Sequence, residues 1–98
     1  MFANERVASA GVASCIPAEI QSQLWSMIDD LKANMFMVDY FQVFVLSKKC
    51  CQQNIIHYQE RPDYRNEVLL NFPCRQVCEI IYVIDDGNFS GMVLATEY

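Results

Sequence analysis

The sequence predicts an α+β domain: one amphipathic helix packed on a curved, mostly antiparallel sheet of about five to six strands. Three observations predict it. One long stretch, Ile20 to Leu31, has a helical hydrophobic period. Several short runs rich in β-branched and aromatic residues are bounded by proline, glycine or polar breakers. Near the end, Asp85-Asp86-Gly87-Asn88 separates two apolar runs, the signature of a tight hairpin. A chain of 98 residues makes one domain, 1–98, with one core.

Arg6 to Ala13 reads as a strand of small residues, which lets the helix lie close to it. The helix runs from Pro17 to about Lys32. Pro17 suits the first helical position, where no N–H is missed. Glu19 and Lys32 suit the two ends of the dipole, whereas Asp29 and Asp30 lie near the wrong one. Ile20, Leu24, Met27, Ile28 and Leu31 form its apolar stripe. At about 100° per residue, Trp25 falls off that stripe, either under a loop or free for contact.

Asp39 to Leu46 is the next strand, and both of its faces are apolar. Asn54 to Glu60 follows, broken by Arg61-Pro62-Asp63, because proline removes a ladder donor and constrains its neighbour. Glu67 to Phe72 reads as a strand ended by Pro73, with a helical turn over Tyr64 to Leu70 as the alternative. Glu79 to Ile84 and Gly91 to Glu97 form the hairpin, in a register that opposes Ile84 to Phe89, Tyr82 to Gly91 and Ile80 to Val93. A helix of about 16 residues is roughly 24 Å long and covers one face of a few strands. Strands apolar on both faces therefore need a second cover: a sheet curled into a barrel-like form, or another subunit.

Composition narrows the function. Hydrophobic residues make up 53% of the chain and charged residues 19%, so a domain this small has apolar surface to spare, which points to self-association or a partner surface. Seven basic residues against twelve acidic give a net charge of −5 with no basic run. Nucleic acid and anionic membranes want clustered cations, so neither is an expected partner. No run approaches the length of a membrane span, and no apolar segment precedes Ala8-Ser9-Ala10, so a cytoplasmic location is expected. Five cysteines, an odd count, read as reduced thiols.

Several short motifs carry a resemblance. They are Gly11-Val12, Ile16-Pro17, Leu24-Trp25, Asp39-Tyr40-x-Gln42-Val43-Phe44, His57-x-Gln59-Glu60-x-Pro62-x-Tyr64, Val83-Ile84-Asp85-Asp86-Gly87 and Glu97-Tyr98. Together they resemble a family of short proteins, mainly of low-GC Gram-positive bacteria, catalogued as a domain of unknown function. The resemblance spans nearly the whole chain. It implies the extent of the fold and the location, and no mechanism. Cys50-Cys51 and Cys74-x-x-x-Cys78 stand outside the pattern, so it implies no thiol chemistry.

The segment from His57 to Tyr64 holds the sole histidine and the densest mix of polar and aromatic side chains. His57 and Glu60, three apart on a strand, point to opposite faces and form no acid–base pair without a bulge. Cys74-x-x-x-Cys78 admits a zinc half-site that Cys50, Cys51 or His57 would have to complete, but lacks a second pair. A cysteine nucleophile with His57 as base lacks an oxyanion site. Asp85 and Asp86 lack the ligand spacing of a calcium loop. No catalytic residue, metal or cofactor is therefore expected. The contact candidates are Trp25, His57, Gln59, Glu60, Arg61 and Tyr64, since aromatic residues and arginine dominate contact hot spots. The expected function is a non-enzymatic interaction or regulatory module, a homodimer or one that binds another protein. The alternative is a small-ligand domain with a pocket between helix and sheet near His57, Gln59 and Tyr64.

Overall fold

A computed structural model describes residues 1–34, 37–71 and 75–98. Along the chain lie β1 (Glu5–Ala8), α1 (Ala10–Cys15), α2 (Ala18–Asn34), β2 (Phe41–Lys49), β3 (Gln52–Gln59), β4 (Tyr64–Leu69), β5 (Glu79–Asp85) and β6 (Phe89–Leu94), ending in a 3-10 turn, Ala95–Glu97. The strands form one six-stranded sheet in the order β1-β6-β5-β2-β3-β4. Every neighbouring pair is antiparallel except β1 with β6. The architecture is the expected α+β one, and the sheet stays open, with β1 and β4 as its edges. Of the two expected covers for the second face, curling into a barrel does not occur.

The helix forms as its stripe dictates. Ile20, Leu24, Met27, Ile28 and Leu31 are buried, as the period predicts. Ile20, Leu24, Met27 and Ile28 close the core against Phe44, Leu46, Ile55, Ile81, Val83 and Met92, the residues of β2, β3, β5 and β6 that face the helix. Each such side chain contributes about 2 kcal/mol of burial. Pro17 sits one position before the helix rather than in it: its carbonyl accepts from Gln21 N at 3.1 Å, which makes it the cap.

The expected strand Arg6 to Ala13 is divided. Only Glu5–Ala8 is strand, and Ala10–Cys15 is helix. Ser9 decides the break. Its side chain accepts from Val12 N at 3.1 Å, the bond of an N-cap. Beyond it come Ala10, Gly11, Val12 and Ala13, of which Val12 is the buried one. Small residues carry little period-2 signal, so the capping serine prevails.

The segment 64–70 is strand through Leu69, not a helical turn. Phe72 and Pro73, expected to end it, lie outside the described residues, as does Cys74. The final hairpin forms, in a register two residues from the expected one. Ile84 opposes Gly91 and Tyr82 opposes Val93. The loop centres on Gly87 and Asn88, with Gly87 at φ +98 and Asp86 N bonded to Phe89 O at 3.1 Å. A positive φ at the first loop residue is what two-residue hairpins of the II′ kind place on glycine. A slip of two keeps every side chain on its face.

Candidate functional site

The segment from His57 to Tyr64 resolves into two places on opposite sides of the sheet. His57 and Gln59 point from β3 towards the helix, and both are buried. They meet Gln42 of β2. Gln59 Oε1 accepts from Asp39 N at 2.9 Å, while Gln59 Nε2 donates to the carbonyl of Pro62 at 2.7 Å. That orients Gln59. Gln42 Nε2 then donates to Gln59 Oε1 at 2.7 Å and to the carbonyl of Asp39 at 2.8 Å. The remaining amide oxygen of Gln42 faces His57 Nε2 at 2.6 Å. An oxygen there requires a donor, so Nε2 carries the proton and Nδ1 is the bare nitrogen.

Nδ1 is buried and has no hydrogen-bond partner among the described residues. The ring stacks on Phe44, its cross-strand neighbour, at 4.3 Å between centroids, and Tyr64 meets it edge-on at 5.5 Å. With no acid in that shell, burial alone pushes its pKa down to about 4. His57 is thus neutral at physiological pH and sealed from solvent at 0% exposure. A proton shuttle needs access, so this geometry suits a structural clasp. What it clasps is the entry to β2, through both backbone groups of Asp39, and the bend after β3, through Pro62.

Glu60 and Arg61 turn the other way, at the bend that carries a cis Arg61-Pro62 bond. Asp39 holds this bend from outside, accepting from Phe41 N and Arg61 N at 3.2 Å each. Glu60 and Arg61 border a cleft of about 440 Å³ whose other walls include Tyr40, Phe41 and Tyr98. The cleft lies at one margin of the sheet face that α2 leaves uncovered.

That open face is the main feature the sequence candidates missed. The pairing register places Phe41, Val43 and Val45 of β2, Ile56 and Tyr58 of β3, and Ile80, Tyr82 and Ile84 of β5 on it. Val93 and Phe89 of β6 extend it, with Val7 of β1. Ile80 is 45% exposed, Phe89 46% and Tyr98 75%. Tyr98 lies across the middle, its ring 5.5 Å from both Phe41 and Tyr82 in edge-on contact. Charged side chains from the strands stand at the margins: Glu5 opposite Phe89, and Arg65 and Glu67 on the outermost strand. The alternation of β2 was the signal in the sequence, since a strand apolar on both faces has one face to spare.

Trp25 belongs to neither place. It packs partly buried against the core, and the Arg6 guanidinium lies 4.9 Å over its ring. Arg6 also donates to Asp29 at 3.1 Å, which holds the Asp29 carboxyl below its usual range. The tryptophan off the stripe is therefore a seat for β1 on α2. Of the six contact candidates, the fold joins His57, Gln59 and Tyr64 in the clasp, brings Glu60 and Arg61 to the cleft, and leaves Trp25 apart.

Two carboxylates tie the ends of the chain. Asp85 accepts from Phe2 N at 2.7 Å, Gly87 N at 2.8 Å and Asn4 Nδ2 at 2.9 Å, bonds that lower its pKa. Glu97 accepts from Ser9 Oγ at 2.6 Å, Leu94 N at 2.8 Å and Gly11 N at 3.1 Å, which lowers its own. Cys15, Cys50, Cys51 and Cys78 are free and exposed, and among the described residues no three His, Cys, Asp or Glu side chains group to hold a metal. No helix of the described residues is long and apolar enough to cross a membrane.

Comparison with known proteins agrees with the resemblance of the sequence. The family described as "Staphylococcal protein of unknown function (DUF960)" matches residues 5–97. A crystal structure described as a protein of unknown function from Enterococcus faecalis is similar, with a TM-score of 0.85 over 97% of this chain and 91% of that one. The two chains are 23% identical, so this likeness speaks for the fold alone. Both sources are low-GC Gram-positive bacteria. No curated protein matches the chain.

Proposed function

We propose, from the premise that the chain belongs to the staphylococcal family of unknown function DUF960, that it is a non-enzymatic interaction module working as a homodimer through the open face of its sheet. One observation carries the reading: a sheet face lined by aliphatic and aromatic side chains that, among the described residues, α2 does not cover and only the closing turn and Tyr98 lie against. Six strands about 4.8 Å apart, each of some six residues, present roughly 550 Å². Two such faces bury on the order of 1,100 Å², above the size that separates specific contacts from adventitious ones. An apolar centre with charge at the margin is the make-up of a protein interface. A second copy is the occupant to which the area and the self-matching apolar character of the face point, packed sheet on sheet at about 10 Å.

Sedimentation of the purified chain over a wide concentration range tests it. The expected result is a monomer–dimer equilibrium that Ile80→Asp shifts to monomer while thermal unfolding stays cooperative. A wild type that is monomeric throughout overturns the reading. A dimer indifferent to Ile80→Asp moves the contact off the face. The cleft beside Tyr98 favours, as a second reading, a small-ligand site bordered by Tyr40, Phe41 and Arg61. A thermal shift across a metabolite panel that Arg61→Ala abolishes would support it.

A further inference from the structure

We infer that the free edge of β4 is a second place where this chain takes another copy of itself, antiparallel and in a single register. The inference rests on the proposed self-association only for the identity of the partner; the surface is a strand edge and not the open face.

β4 is bonded along one side, to β3, and ends the sheet on the other. Among the described residues no backbone hydrogen bond reaches its outer side. An exposed strand edge is a template for another strand. Two copies joined there by a two-fold axis run antiparallel, and the axis stands normal to the sheet. One residue then faces its own counterpart, and directly opposed residues share a face.

The pairing with β3 puts Arg65, Glu67 and Leu69 on the open face, and Tyr64, Asn66 and Val68 on the helix face. Charge then selects the axis. Centred on Arg65, the strand sets arginine against arginine. Centred on Glu67, it sets glutamate against glutamate. Centred on Asn66, it sets Arg65 of each copy against Glu67 of the other, and Tyr64 against Val68. Opposed like charges disfavour a strand pair and opposed unlike charges favour it. Within one chain Arg65 touches Glu67 at 3.7 Å and is 60% exposed, while Glu67, 35% exposed, also lies 3.7 Å from Lys49 Nζ, a long exposed pair that an opposed arginine can join or replace. Charges on an edge strand usually deter neighbours. Here their alternation deters the registers centred on Arg65 and Glu67 and favours the one between them. The resulting pair carries both α2 layers on one side and runs the two open faces into one surface.

The test isolates the edge by working in the Ile80→Asp background, where the open-face contact is removed. Sedimentation should find that this variant still dimerises weakly at high concentration. Adding Arg65→Glu should weaken the dimer by about tenfold or more, and adding Glu67→Arg to that should restore it. Cooperative thermal unfolding checks that each variant is folded. An Ile80→Asp variant that stays monomeric at every concentration overturns the inference and leaves the face reading intact. So does a residual dimer that ignores the charge reversal. A wild type that never associates overturns both.

Discussion

At the residue scale, the most consequential side chain is His57, whose role follows from which nitrogen is bare. Nε2 donates to Gln42 and Nδ1 has no hydrogen-bond partner among the described residues, so a second proton finds no acceptor there, and burial holds the pKa at about 4. Unfolded, the ring titrates near its ordinary value of 6.5. Above 6.5 both states are neutral and His57 adds no pH dependence. Between 6.5 and 4 the unfolded chain gains a proton that the folded chain refuses, so stability falls by about 3 kcal/mol across that window. Urea unfolding at pH 7 and pH 4.5 should show this loss, and His57→Phe should remove most of it. An equal loss in the variant would place the acid sensitivity elsewhere. The carboxylates with lowered pKa, Asp85 and Glu97 among them, lose their contribution at lower pH, through their folded pKa values. Gln59 is the hub of the same clasp, with an oxygen and a nitrogen that answer Asp39, Gln42 and Pro62. Gln59→Ala removes the bonds to Asp39 N and the Pro62 carbonyl and one bond of the buried Gln42 amide, and should cost about 2 kcal/mol by urea unfolding.

At the element scale, turns and caps decide what the strands do. The β2–β3 hairpin turns on Cys50 and Cys51, both at positive φ, +53 and +62. A two-residue loop with both residues left-handed is the I′ turn, which asparagine and glycine adopt at least cost. Cys50→Asn with Cys51→Gly should therefore raise stability by about 1 to 2 kcal/mol, read by chemical unfolding. A neutral or destabilising outcome would mean that the thiols make contacts worth keeping. At the start of α1 a Cβ on Gly11 would meet the Glu97 carboxylate at 2.5 Å. That carboxylate ends a flexible side chain and can swing away, so the cost of Gly11→Ala is the loss of its bonds to Ser9, Gly11 and Leu94, a small fall in stability read by chemical unfolding. Glu97→Ala loses the same bonds, and the double variant should cost no more than either single one. The sequence made α2 legible because its stripe repeats over three turns, and it made β2, β3 and the final hairpin legible by composition. It hid α1, since small residues signal neither period and the deciding Ser9 is one hydroxyl. It hid the hairpin register, since a slip of two preserves every face. It hid the clasp, since Gln42 and His57 lie 15 residues apart and only pairing of β2 with β3 joins them.

At the scale of the whole molecule, the open sheet and the acidic chain oppose each other in a way that salt can separate. The uncovered face and the β4 edge both follow from six strands sharing one layer of helix. The face was legible in the sequence as an excess of apolar residues on both sides of β2, but its occupant was not, because a pattern within one chain specifies what is left over and not what covers it. Each copy carries a net charge of −5, so like copies repel at long range. Raising salt from about 0.02 M to 0.5 M shortens the screening length from roughly 20 Å to 4 Å and removes most of that repulsion. The proposed face contact is apolar at its centre, so nothing attractive is screened with it, and a wild-type dimer formed there should tighten several-fold over that range. The inferred β4 contact would depend on two exchanged Arg65–Glu67 pairs, and salt weakens such pairs as it relieves the repulsion. In the Ile80→Asp background the gain with salt should therefore shrink or reverse. Sedimentation at the two salt concentrations measures both. A wild-type dimer that loosens with salt would mean that charge, and not the apolar face, holds it together.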